Sequence, residues 1–109
     1  MARYEFGIME NAPAPGCRYD EYNPEAYPRL VTVIDDDFDP YLTMFRGEIY
    51  WHTLDVRGEG IAMSGINLIP PASSAVIAEI IRGNAELYEL EQLLLEAVNE
   101  DKFVILFGL

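Results

Sequence analysis

The chain has 109 residues, half of them hydrophobic, with 7 Tyr, 5 Phe and 1 Trp, and its 19 acidic and 7 basic residues leave a formal net charge of -12. That apolar and aromatic content excludes a disordered acidic tail, and the length fits one domain whose modest core buries roughly 65% of the surface of the extended chain. Direct binding to nucleic-acid phosphates would work against the protein's own field, whereas a basic partner protein suits it.

The opening MARYEFGIME carries Arg3, Glu5 and Glu10 and has no long apolar run, so a signal peptide is not expected. The charge-free stretch from Gly60 to Ala78 is interrupted by Gly65, Asn67, Pro70 and Pro71, which disqualifies it as a membrane span. Cys17 is the only cysteine, so an intramolecular disulfide and a cysteine zinc site are both excluded. A cytoplasmic protein of bacterial type is the expectation.

In chain order, Tyr4, Phe6 and Ile8 alternate with Glu5 and Gly7, the period of a half-buried strand. Residues 11–28 hold four prolines, Gly16 and the tyrosines 19, 22 and 27 without a helix or strand period, and read as a long Pro/Tyr-rich loop ordered by its aromatic contacts. Arg29 to Ile34 is a β-branched strand that stops at the acids Asp35, Asp36, Asp37 and Asp39, after which a short helix is expected with Asp39 as N-cap and Pro40 at its first position. Ile49 to Val56 reads as one arm of a hairpin, with Arg57 to Gly60 as the turn into the next strand.

Gly60 to Pro71 (GIAMSGINLIPP) is the expected central strand, with a phase change at Gly65 and a strand-to-helix corner at Pro70-Pro71. Its core positions are Ile61, Met63, Ile66 and Leu68. Val76, Ile77, Ile80 and Ile81 form the stripe of a helix closed by Gly83, and Asn84 caps a second whose apolar face is Leu87, Leu90 and Leu94. The continuous run Phe103 to Phe107 is a strand buried on both sides, with Val104 and Leu106 in the core. These elements predict a single α+β domain over residues 1–109: a mixed sheet of about four or five strands, with a two-helix hairpin packed on one face.

Three groups of residues invite a chemical reading. The cluster Asp35 to Asp39 resembles the start of an EF-hand loop, but Pro40 stands where glycine is needed and Arg46 where a bidentate Glu is needed, so no metal is expected there. Its acids fit a helix N-terminus or an acidic contact surface through Asp36, Asp37 and Asp39. Trp51 and His52, with Asp55 nearby, contain the sole histidine, yet no nucleophile or second metal ligand accompanies it, and a structural or contact-making pair is favoured over a general base. Tyr19, Tyr22 and Tyr27 are candidate interface anchors, because large rigid aromatics dominate interface energetics.

Neither catalysis nor a cofactor is expected from this set. The leading expectation is a small acidic, non-catalytic accessory or protein-interaction domain, which self-associates into a homo-oligomer under the accessory reading. The alternative is an immunity- or antitoxin-like inhibitor that covers a basic partner. A third class, a small-ligand binder or enzyme using His52 and the Asp35 to Asp39 cluster, stands behind these.

Overall fold

Tyr4, Phe6 and Ile8 alternate along β1 (Arg3–Ile8), and the β-branched run after the loop forms β2 (Leu30–Ile34). The structure, a computed structural model, describes residues 2–108. Pro70 and Pro71 make the expected corner: β5 (Ile66–Ile69) ends there and α2 (Pro71–Ile81) begins, with Pro71 where a missing N–H leaves no bond unmade. Gly83 takes φ +88° after α2, and the Asn84 side chain accepts the Glu86 N–H at 2.9 Å. That cap opens a 3₁₀ turn, Ala85–Leu87, which runs into α3 (Tyr88–Asn99) and so to β6 (Val104–Phe107).

The sheet has six strands in the order β2-β1-β6-β5-β3-β4, with β3 at Ile49–Trp51 and β4 at Arg57–Gly58, and every neighbouring pair is antiparallel. This corrects the expectation of a mixed sheet of four or five strands. Two helices intervene between β5 and β6, and an even number of helical passes returns the chain pointing the other way. The sixth strand arises because the hairpin turns at His52–Val56, closed by the Trp51 N–H to Val56 C=O bond at 2.9 Å, so Arg57–Gly58 is the return arm and not the turn.

Two further expectations change. The helix after β2 is α1 (Asp35–Leu42), capped by Ile34, so Asp35, Asp36 and Asp37 occupy its first turn and Pro40 lies inside it. Acids complement the positive end of the helix dipole, and the exposed Pro40 removes only the bond to the carbonyl four residues earlier. The central strand is also shorter than expected. Gly65 adopts φ +82°, and the buried Asn67 side chain bonds both the N–H and the C=O of Ala62 (2.9 and 3.0 Å), replacing a ladder with a side-chain clamp. Residues 60–64 are therefore irregular, and Met63 is 54% exposed instead of buried.

The larger core lies between the sheet and the three helices. Tyr4, Phe6, Ile69, Val104 and Leu106 meet Phe38, Ile77, Ile81, Leu87, Leu90 and Leu94 there, with Ile61 and Ile80 at its margin. Phe38 of α1 presents its ring edge-on to Tyr4 and Phe6, with centroids 5.5 and 5.3 Å away. The opposite face carries Ile66, Leu68, Ile105 and Phe107, and here the cover is the long loop, through Tyr19 and Tyr27. That is why β5 and β6 read as continuously apolar: both of their faces are inside. No helix among the described residues is long and apolar enough to cross a membrane.

Candidate functional site

Asp35, Asp36 and Asp39 bring one carboxylate oxygen each to within 4.8 Å of one another on the first turns of α1. The cluster's acceptors are already partly engaged: the Tyr4 hydroxyl donates to Asp39 at 2.6 Å, and Asp35 accepts the Asp36 N–H at 2.9 Å. Burial, and then the hydrogen bond to Asp39, push the Tyr4 hydroxyl far above the ordinary tyrosine range. Asp37 lies on the same turn, half-buried and outside the group.

Trp51 and His52 diverge instead of forming a pair. Trp51 lays its indole over Gly58 of β4, where no Cβ could fit, and its Nε1 donates to the Gly60 carbonyl at 3.3 Å. His52 turns the chain with φ +64°, a left-handed conformation unusual outside glycine. Its Nδ1 lies 2.8 Å from Asp20 Oδ1, off the N–H direction and so short of an aligned hydrogen bond, and its Nε2 accepts the Ile66 N–H at 3.4 Å. The carboxylate facing His52 thus comes from the loop and not from Asp55, whose N–H instead meets the Thr53 hydroxyl. Asp20 is held below the ordinary carboxyl range chiefly by the hydrogen bond from Arg18, with a smaller contribution from His52.

Around this crossing lies an open cleft of about 270 Å³ lined by Asp20, Tyr22, His52, Gly65, Ile66 and Phe107. The imidazole has one nitrogen against a carboxylate and the other against a backbone N–H, so it staples the loop to the bend before β5. The backbone repeats the tie, with the Tyr19 N–H donating to the His52 carbonyl at 2.7 Å and the His52 N–H donating to the Ile66 carbonyl at 3.0 Å.

The three tyrosines of the loop have different roles. Tyr27 is half-buried, edge-on to Phe107 at 5.8 Å and pressed on Gly7, which has no room for a side chain. Burial raises its hydroxyl pKa. Tyr19 packs on the loop-side core and accepts the Ala14 N–H at 3.0 Å. Tyr22 is 65% exposed, edge-on to Phe107, with its hydroxyl donated to Glu5. Tyr22 alone of the three offers most of its ring to solvent.

Two electrostatic features lay outside the sequence reading. Arg29 is a hub: its guanidinium bonds Glu10, Glu96 and Glu100, and Lys102 joins Glu10 and Glu100, which locks the end of the loop to the end of α3. The second is a pair of acidic segments. The Asn84 amide donates to the Tyr41 hydroxyl at 2.8 Å, tying α1 to the 3₁₀ turn, so the acids of residues 35–37 and those at Glu86 and Glu89 lie on neighbouring elements. No sequence spacing signals either feature, since the partners are up to 92 residues apart. No protein-family model, curated protein or solved structure matches the chain.

Proposed function

We propose that this chain is a small acidic protein-interaction domain that acts by binding a basic protein and not by catalysis. The observation that supports this reading best is where the charge is free. Five of the seven basic side chains, Arg18, Arg29, Arg57, Arg82 and Lys102, are engaged in ion pairs within the chain. Asp35, Asp36, Asp37, Glu86, Glu89 and Glu91, on α1 and on the segment that begins α3, have no cationic partner among the described residues, and neither do Glu5, Glu21, Glu25, Asp39, Glu48, Asp55 and Asp101 elsewhere in the chain. An uncompensated field of one sign steers an oppositely charged protein and repels a like-charged one. The His52 Nε2, already accepting the Ile66 N–H, favours binding over general-base catalysis.

A self-associating accessory domain is the second reading, favoured by the outer edge of β2, which pairs with no other strand among the described residues. The two are separated by affinity capture from the native cell, followed by association kinetics with the captured protein. Under the binding reading that protein is basic, and its association slows as salt is raised, because steering is screened over about 8–10 Å. Reversing Asp36 and Asp37 to Lys then lowers the association rate while leaving the melting transition in place. Capture of no basic protein, together with an oligomer that persists in high salt, would end this reading and leave self-association.

A further inference from the structure

We propose that the partner docks on the open edge of β2 by contributing an extended, lysine- or arginine-bearing segment as a further strand of the sheet. This rests on the reading of a basic protein partner and adds its site and mode. The phase of the β1–β2 ladder decides which backbone groups are free. The Ile8 N–H donates to the Arg29 carbonyl and the Asp35 N–H to the Ala2 carbonyl, each at 3.1 Å, in the same register that sets Tyr4 opposite Val33 and Phe6 opposite Val31. Hydrogen bonds in an antiparallel pair involve alternate residues. Positions 29, 31, 33 and 35 therefore face β1, Leu30 and Thr32 turn their N–H and C=O groups outward without a partner among the described residues, and Ile34 presents only its N–H, because as N-cap of α1 its carbonyl takes the first bond of the helix.

Natural sheets blunt such edges with short strands, charge, proline or bulges. The other edge of this sheet is blunted: β4 has two residues, one of them Arg57, and Trp51 covers Gly58. β2 has five residues, Leu-Val-Thr-Val-Ile, without charge or proline. Beside it, two adjoining clefts of about 290 and 330 Å³ form a groove against α3, lined by Val31, Val33, Glu86, Tyr88, Glu89 and Leu93. Tyr88, 60% exposed, is common to both.

The groove identifies the occupant's chemistry. Alternate side chains of an added strand would pass over Tyr88 and Leu93, where the stem of a lysine or arginine packs on the ring and its head reaches Glu86 or Glu89. The side chains between them would meet Leu30, Thr32 and Ile34 across the strand, which suits β-branched residues. A second copy fits poorly, because pairing two β2 edges would set the Glu86 and Glu89 faces of two chains, each of net charge -12, against one another. The nearest cations do not offset this: Arg29 is bound by three glutamates, and Arg3 lies one strand inward, opposite Ile34.

The test uses the full-length isotope-labelled chain and a capped peptide of about seven residues alternating lysine and valine, a length matched to a typical strand. Its counterpart alternating glutamate and valine is the control. Thr32→Pro removes an outward N–H and leaves the bonds to β1 intact, and Glu86→Lys with Glu89→Lys changes only the rim. At saturation the lysine peptide should slow exchange of the Leu30, Thr32 and Ile34 amides about tenfold. Affinity should fall about tenfold in Thr32→Pro and about fivefold in the double reversal, and the glutamate peptide should not bind. Equal affinity for wild type and Thr32→Pro, or no binding of the lysine peptide at millimolar concentration, overturns the edge site. If a basic protein is then still captured with salt-dependent association, the partner reading stands and only its site is wrong. A free chain that is already dimeric, with a protected Thr32 amide, and that becomes monomeric in Thr32→Pro would put a second copy on the edge and refute the proposal.

Discussion

Gly65→Ala measures how tightly the His52 crossing is built. Gly65 has φ +82°, where an L-residue is strained by about 1–2 kcal/mol. A Cβ there would also lie 2.8 Å from His52 Nε2, and the ring cannot retreat freely because Asp20 faces its other nitrogen. Displacing the imidazole takes the acceptor from the N–H of the buried Ile66, a loss of about 1–3 kcal/mol that the 3.4 Å length of the bond places at its lower end. The sum is roughly 2–4 kcal/mol. Gly83→Ala supplies the internal control: its φ is +88°, but a Cβ there meets nothing within 4 Å, so it bears the strain alone, about 1–2 kcal/mol. The gain from restricting the unfolded chain is common to both substitutions and cancels in the difference. Urea unfolding with an unchanged m-value should therefore show Gly65→Ala the more destabilising by about 1–2 kcal/mol, and the excess should vanish in a His52→Gly background. Equal losses at the two glycines, or an excess that persists without the imidazole, would refute the account of His52 as a staple.

Leu90 is fully buried between α3 and the sheet, so Leu90→Ala should destabilise by about 2–5 kcal/mol, and a loss under about 1 kcal/mol would place the helix face wrongly. Glu10 and Glu100 are held below the ordinary carboxyl range, Glu100 at about 2 by Arg29 first and Lys102 second, and Glu10 by Lys102 and then Arg29. Their unfolded forms bind protons more readily, so this contribution is complete above the ordinary value of about 4.5 and is lost as pH falls toward 2. Arg29→Gln should shrink that acid-limb loss in denaturation measured across the same pH range; an unchanged limb would contradict it. Thermal melts of the wild type should not shift with EDTA or millimolar Ca²⁺ or Mg²⁺, and a stabilisation by either ion that disappears in Asp36→Asn would establish a metal site at α1.

Local chemistry made most of the elements legible in the sequence. Alternation identified β1, continuous apolar runs identified β5 and β6, and Pro70-Pro71, Gly83 and Asn84 marked helix boundaries that the backbone obeys. The misplacements share a cause, which is a side chain acting at a distance or a conformation that its residue type does not advertise. Asn67 clamping Ala62 removed half of the expected central strand, and His52 in a left-handed turn moved the hairpin bend and created β4. α1 starts five residues before the expected position because Pro40 resembles a first-turn proline, whereas the acids before it already form the first turn. At the candidate site, His52 was visible as a singleton, but its partner Asp20 is 32 positions away and no local period points to it.

The long loop bears on function because it covers the sheet unevenly. It hides backbone polarity by turning, with Cys17 bonded to Ala14, Ala26 to Asn23 and Tyr27 to Pro24, and its prolines have no N–H to satisfy, so irregular chain can serve as a layer. Its rings reach β3, β5 and β6 and stop with Tyr27 on Gly7 of β1, leaving Thr32 and Ile34 bare on that face as well as at the edge. Yet β2 is not loose. The Arg29 hub anchors the residue before it, α1 follows it without a break, and Val33 is buried in the helix-side core. A strand held at both ends with its outer groups already aligned loses little conformational freedom when a partner arrives. The ordering cost of strand addition then falls almost wholly on the incoming segment, so stiffening that segment should raise its affinity while loosening the Arg29 hub lowers it.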